Sequence, residues 1–237
     1  YGQTATGRVR KSNQDSIFLS ETPVGPLSNL FMVADGMGGH KAGDFASRFV
    51  VDTMVRCMGL YKSDSPVTAL RKAIEKTNEL LFLEAQRDPD REGMGSTLVA
   101  ATVDQDTMYV ANVGDSRLYL FRDGLSQITR DHSLVEDMVQ RGELTREQAR
   151  NHPHKNLITR ALGPDISADC DGYICPMNAG EYLLLCSDGL VNTVTDQEML
   201  FEIVHGGDLD TCLDRLLHIS KSQGAPDNVT AVLMQKL

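Results

Sequence analysis

Four aspartates share one kind of setting: Asp35 in A-D-G-M-G-G, Asp115 in V-G-D-S-R, Asp188 in C-S-D-G-L and Asp227 in P-D-N-V-T. Three follow a short apolar run and the fourth precedes one. Taken singly, each reads as an Asp-Gly or Asp-Ser turn. Taken together, they stand at strand boundaries, and packed sheets could bring such boundaries to one rim. Carboxylates gathered there repel one another and raise each other's pKa unless a cation neutralises them. Oxygen donors without clustered His or Cys suit hard divalent ions, Mg²⁺ or Mn²⁺. A pair of such ions polarises a phosphoryl group and generates hydroxide from water, so a phosphate ester could be hydrolysed without a protein nucleophile. Spacing alone does not establish convergence.

Three other residues carry possible chemistry. Arg10, in R-V-R-K-S-N-Q-D, could hold a phosphate with paired hydrogen bonds, although a solvated arginine in a basic patch is the simpler reading. His40 is a general acid or an exposed loop residue. His132, in D-H-S, invites a serine–histidine reading. Adjacent residues rarely serve as nucleophile and base, and no G-x-S-x-G elbow supports it.

The elements that would position these residues follow from periodicity. The polar start, Tyr1 to Asp15, precedes a strand over Ser16–Ser20. A second strand runs from Phe31 and ends at Asp35, where the glycines of G-M-G-G allow a tight turn. Phe45, Phe49, Val50, Met54 and Cys57 recur at helical steps and predict a helix ending near Gly59. Ser65-Pro66 opens another helix, with serine as cap and Val67, Leu70, Ile74, Thr77 and Leu81 as its stripe. Strands follow over Ser96–Val103, Thr107–Val113, Arg117–Arg122 and Leu125–Thr129, joined by short connections that favour antiparallel pairing. Residues 131–163 break this rhythm with short helices over Leu134–Arg141 and Arg146–Asn151. Thr145-x-x-Gln148 signals a capping box for the second, and the segment reads as an inserted subdomain or lid. Strands return over Asp171–Cys175 and Glu181–Cys186. Helices fit Asp196–Val204 and Leu209–Ser222, and Asp227–Leu237 closes the chain as a strand. Neither a repeat nor a linker interrupts the 237 residues, so one domain is expected.

Composition narrows the class. Hydrophobic residues make up 41%, ample for a core, and the net charge of −10 argues against nucleic acid or an anionic membrane as partner. The five cysteines include no C-x-x-C and fit a reduced, cytoplasmic protein. No apolar run approaches a membrane span of ~20 residues. The chain opens at Tyr1 without Met, so the lack of a visible signal peptide proves little.

At this point the motifs resemble, as a set, those of the metal-dependent, type 2C serine/threonine protein phosphatases in their bacterial form. They are R-V-R-K-S-N-Q-D, V-A-D-G-M-G-G-H, G-M-G-S-T, A-N-V-G-D-S-R, D-H-S-L, L-I-T-R-A-L-G, L-L-C-S-D-G-L and D-N-V-T, in family order and over nearly the whole chain. The resemblance implies an α+β fold: a four-layer α-β-β-α sandwich of two antiparallel sheets flanked by helices, with residues 131–163 as a helical flap. It implies that Asp35 bridges two Mn²⁺ or Mg²⁺ ions, that the Gly36 carbonyl binds one, and that Asp188 and Asp227 complete a shell. Asp115, with Asp188, matches the site of a third, weaker ion. Asp15 would anchor ion-bound waters and Arg10 the substrate phosphate. A metal-bridged water would then hydrolyse phosphoserine or phosphothreonine in phosphoproteins, reversing a partner Ser/Thr kinase, and the protein is expected to be a monomer. Gln14 and Met37 depart from the eukaryotic pattern of Glu and His. Met37 donates no proton, which leaves His40 or an ion-bound water as the acid.

Two other readings compete. A catalytically silent, phosphatase-like signalling module would retain the fold, but all the expected ligand aspartates are present. A nucleotide-binding oxidoreductase would need glycine where Lys41 stands to complete G-x-G-x-x-G, and no alternating parallel βα units follow.

Overall fold

The computed structural model describes residues 1–39, 42–61 and 65–237. Strand alternation decides the architecture. In β3 (Leu30–Met37), Leu30, Met32 and Ala34 face one way and Phe31 and Val33 the other, and all five are buried. A strand buried on both faces needs a covering layer on each side. In β5 (Leu98–Asp104) the same split recurs: Leu98 and Ala100 join the first set, and Val99, Ala101 and Val103 join the second.

These strands belong to an antiparallel sheet of order β2-β3-β5-β6-β9, completed by β2 (Asp15–Ser20), β6 (Thr107–Val113) and β9 (Asp171–Pro176). A short strand, β4 (Gly95–Ser96), pairs with the end of β3. The facing antiparallel sheet has the order β1-β11-β10-β7-β8. Its strands are β1 (Gly2–Ala5), β7 (Arg117–Phe121), β8 (Leu125–Gln127), β10 (Tyr182–Cys186) and β11 (Val229–Gln235).

Three cores separate four layers. Between the sheets, Phe31, Val33, Val99 and Val110 meet Leu118, Leu120, Leu183, Leu185 and Val232. Outside the first sheet, α1 (Ala42–Met58) and α2 (Pro66–Ala85) bury Ala46, Val50, Met54, Leu70 and Ile74 against Met32 and Ala100. Outside the second, α6 (Asp196–His205) and α7 (Leu209–Ser222) bury Met199, Ile203, Leu213 and Leu216 against Leu184, Ala231 and Leu233. The α-β-β-α expectation is met. No helix among the described residues is long and apolar enough to cross a membrane. All five cysteines are free.

Several boundaries differ from the sequence reading, each for a local reason. The β3 strand does not end at Asp35; Gly36 and Met37 go on pairing with Ser96 and Gly95 of β4. The predicted strand over Ser96–Val103 is instead split at Thr97, where the chain turns to serve Asp35. The polar start contains β1, whose partner is the last strand in the chain. Ser65 caps α2 in position only: its hydroxyl bonds Thr68 Oγ1 at 2.9 Å rather than a backbone N–H. Asp188 does not simply close a strand; it opens a one-turn helix, α5 (Asp188–Val191). The helices expected within residues 131–163 are α3 (Leu134–Gln140) and α4 (Arg146–Arg150), and Thr145 and Gln148 form the reciprocal capping box.

Candidate active site

Register alone brings the aspartates together. In the first sheet Asp15 lies directly opposite Asp35, at the start of β2 and near the end of β3. In the second sheet Cys186 pairs with both Ala231 and Arg117, so the end of β10 meets the starts of β11 and β7. Asp188 follows that end, Asp227 precedes one start, and Asp115 lies on the crossing from β6 to β7. All five carboxylates therefore collect on one rim, drawn from both sheets.

Each is held by its surroundings. The Asp35 backbone N–H donates to Thr97 Oγ1 at 2.9 Å, and its carbonyl accepts from the Thr97 N–H at 2.8 Å and from Ser96 Oγ at 3.1 Å. Asp15 Oδ2 accepts from Ser187 Oγ at 2.8 Å, just past the end of β10, and from Thr230 Oγ1 of β11 at 2.5 Å. Asp188 Oδ2 accepts from Asn192 at 3.1 Å. Arg10 donates to Asp227 Oδ2 at 2.8 Å, with half of its side chain still open to solvent. Asn228 draws this corner shut: its Oδ1 accepts the Gln14 N–H at 2.8 Å, and its amide donates to the carbonyls of Thr6 and Ser12, both at 2.9 Å.

Two glycines allow the close approach. A Cβ on Gly36 would lie 1.9 Å from the Gly43 carbonyl oxygen, so only glycine lets β3 pass under the start of α1. Gly114 has φ +104° and a Cβ there would lie 2.6 Å from Thr97 Cγ2. Its N–H donates to His132 Nδ1 at 3.1 Å, and its carbonyl accepts the His132 N–H at 2.9 Å. The Nε2 of His132 is 3.1 Å from Asp171, so this ring carries its proton on Nε2 and fixes the turn before Asp115. That arrangement excludes a Ser–His nucleophilic pair at D-H-S. Burial holds the His132 pKa below its usual value against the pull of Asp171.

The electrostatics follow from crowding. Burial, then repulsion from Asp15, Asp188, Asp115 and Asp227, drives Asp35 well above the usual carboxylate range. Burial and Asp188 do the same to Asp115. Asp15 is raised to about 6 by burial, against the pull of the Thr230 and Ser187 hydroxyls. Asp188 also rises to about 6 through burial and its neighbours Asp227 and Asp15, with Arg117 and Lys155 opposing. Asp15 is closed off from solvent, whereas Asp35, Asp115, Asp188 and Asp227 keep part of their surface open.

The structure thus brings together Asp15, Asp35, Gly36, Asp115, Asp188, Asp227 and Arg10. His40 lies outside the described residues. Sequence reasoning missed Thr97, Ser187, Asn228 and Thr230, which orient the carboxylates. Their only signal was position inside G-M-G-S-T, C-S-D-G and D-N-V-T.

The donor set can be tested against a cation. Asp15 Oδ1 and Asp188 Oδ1 are buried oxygens without a hydrogen-bond partner, a costly state unless something positive meets them. Oxygen-only donors with surplus negative charge fit a hard divalent ion. As they stand, no three Asp, Glu, His or Cys side chains among the described residues converge closely enough to grip one. Arg10 engages one oxygen of Asp227 and Asn192 one oxygen of Asp188, so these two oxygens are bonded to protein rather than turned toward a shared ion.

Comparison with known proteins agrees with this geometry. The serine/threonine phosphatase stp of Listeria monocytogenes is 39% identical over 239 residues, covering 99% of this chain and 94% of that protein. The phosphatase PstP of Mycobacterium tuberculosis is 35% identical over 96% of this chain and 43% of its own length. Among solved structures, a bacterial serine phosphatase superposes with a TM-score of 0.92 at 35% identity, covering 100% of this chain and 97% of the other. The catalytic domain of PstP in complex with two manganese ions superposes with a TM-score of 0.85 at 32% identity, covering 98% and 95%. A family model described as Protein phosphatase 2C matches residues 4–234. With its sheets, its rim of aspartates and nearly its whole length accounted for in this way, the chain belongs to the protein phosphatase 2C family.

Proposed function

We propose that this protein hydrolyses phosphoserine and phosphothreonine in phosphoproteins at the aspartate rim, using Mn²⁺ or Mg²⁺. The observation that carries the reading is the convergence of five carboxylates from two sheets with two buried oxygens left unpaired. Asp15, Asp35, the Gly36 carbonyl, Asp188 and Asp227 would hold two ions, and Asp115 with Asp188 a third. When bound, such ions supply Lewis acidity, drawing charge from phosphoryl oxygens and lowering the pKa of water toward neutrality.

The chain's own residues do the rest. Arg10 sits at the open edge of the rim with donors to spare beyond its bond to Asp227, and binds the substrate phosphate with paired hydrogen bonds. Ser187, Thr230 and Thr97 fix Asp15 and Asp35, so the site is organised before substrate arrives. His40 is our candidate for returning a proton to the departing serine or threonine oxygen. We read the 237 residues as one catalytic domain that acts as a cytoplasmic monomer opposite a Ser/Thr kinase, with residues 131–163 as a flap beside the rim. The flap assignment draws on its two ends: His132 bonds Gly114, next to Asp115, and Leu162 pairs with Ser96, next to Thr97.

The test is hydrolysis of matched phosphoserine, phosphothreonine and phosphotyrosine peptides with and without Mn²⁺. Release of phosphate from the first two only with metal is expected. Metal-independent turnover would contradict the mechanism.

A further inference from the structure

Beside the carboxylates a cavity of about 670 Å³ opens between α5 and the segment carrying α3 and α4. Asp115 and Asp188 line it together with Arg146, Arg150 and Lys155. Asp188 belongs both to the rim and to this cavity, so a substrate segment whose phosphate reaches the rim can lay its neighbouring residues along the cavity walls. The arginines there are already engaged. Arg117 holds Asp131 at 2.7 Å, Arg130 holds Asp137 at 3.0 Å, Arg146 holds Glu136 at 3.3 Å, and Arg150 holds Asp196 at 3.4 Å.

Lys155 differs from them. Its backbone is fixed: its N–H bonds the His152 carbonyl at 3.1 Å, and Leu157, two residues on, exchanges backbone bonds with His154 and Leu134. The Ile158 bridge to Ser133 pins the same turn from the other side. The side chain is half-buried, lines the same cavity as Asp188, and forms no ion pair at contact distance among the described residues. A half-buried ammonium loses hydration and gains by meeting an anion.

We propose that Lys155 is a specificity contact for the known reaction, binding an anionic side chain, a carboxylate or a second phosphate, that flanks the scissile phosphoresidue of the substrate protein. This rests on the phosphatase reading above. The contact selects among phosphoproteins by the acidity of the sequence around the phosphate, and salt weakens it.

The experiment measures kcat/KM with Mn²⁺ on phosphothreonine peptides of one length, flanked by alanine, glutamate, a non-hydrolysable phosphonate analogue of phosphoserine, or lysine. The enzymes are the wild type and its K155Q, K155R and K155E variants. Wild type is expected to favour glutamate over alanine flanks by about 3- to 5-fold, the size of one partly exposed ion pair. K155R keeps that ratio, K155Q brings it to about one, and K155E turns the preference toward lysine flanks. A larger gain with the phosphonate than with glutamate assigns the natural anion as a second phosphate, and equal gains assign it as a carboxylate. A wild type indifferent to flanking charge overturns the proposal. So does a K155Q variant slowed by one common factor on every peptide, since Lys155 would then act on the scissile phosphate or on Asp188. If no peptide is hydrolysed at all, the phosphatase reading fails and this inference falls with it.

Discussion

Arg10 and Asp227 show how one residue can be legible in type and hidden in circumstance. The sequence offered a basic N-terminal patch, and the structure places the Arg10 guanidinium 2.8 Å from a carboxylate 217 positions away. Arg10→Ala is expected to lower kcat/KM on a phosphothreonine peptide by about 10- to 100-fold, and Arg10→Lys to recover only part of it, because an ammonium cannot make paired bonds. Steady-state kinetics on the three proteins checks both. His40→Ala should slow a phosphoserine peptide far more than p-nitrophenyl phosphate, whose leaving group needs no proton; equal slowing would remove His40 as the acid. The aspartates announced themselves by setting beside glycine and serine. Ser187 and Thr230 did not, because a hydroxyl in or beside a strand looks like ordinary β composition until its partner, Asp15, is known to lie across the sandwich.

At the scale of elements, alternation and helical period carried the reading well. The strand over Thr107–Val113 and the helix over Leu209–Ser222 have the expected bounds, since each shows an uninterrupted pattern. Pattern failed where an element's reason for existing lies elsewhere in the chain. β1 is four residues long and stands only because β11 accepts it, and β3 extends past Asp35 only because β4 returns beside it. Gly36 sits at that extension. Gly36→Ala should cost about 1–3 kcal/mol or more, because the new methyl meets backbone rather than a side chain that can move aside. Chemical denaturation with and without Mn²⁺ would show both the lost stability and a weakened response to metal. A midpoint unchanged from wild type would mean α1 can move away freely.

For the whole molecule, no spacing in the sequence could show that boundaries 15, 35, 115, 188 and 227 share one rim; that depends on register in two sheets at once. The convergence also sets the pH behaviour. Asp15 and Asp188 titrate near 6 in the fold against 3.8 unfolded, so the folded state binds more protons between those values. Their contribution is fully present below 3.8 and lost as pH rises through about 6. Glu181 acts in the opposite direction: Arg122 and Asn178 hold it down to about 2 from 4.5, so its contribution stands above 4.5 and fades toward 2. The metal-free protein should therefore melt highest at mildly acidic pH, and added Mn²⁺ should move that optimum toward neutrality. Asp35→Asn, by removing one charge from the crowd, is expected to raise Tm in chelator while abolishing the rise produced by Mn²⁺. A lower Tm in chelator would show that Asp35 is stabilising as an anion.

Asn228 has a consequence in time as well as in space. Its side chain joins residues 6, 12 and 14 to the start of β11, so the corner that holds Arg10 and Asp227 is made from the earliest and the latest parts of the chain. A ribosome that has released residues up to 220 has already supplied most of both sheets, but none of that closure. A polypeptide that stops short of β11 is thus expected to be silent as a catalyst, because β1 lacks its partner and the corner that holds Arg10 and Asp227 stays open.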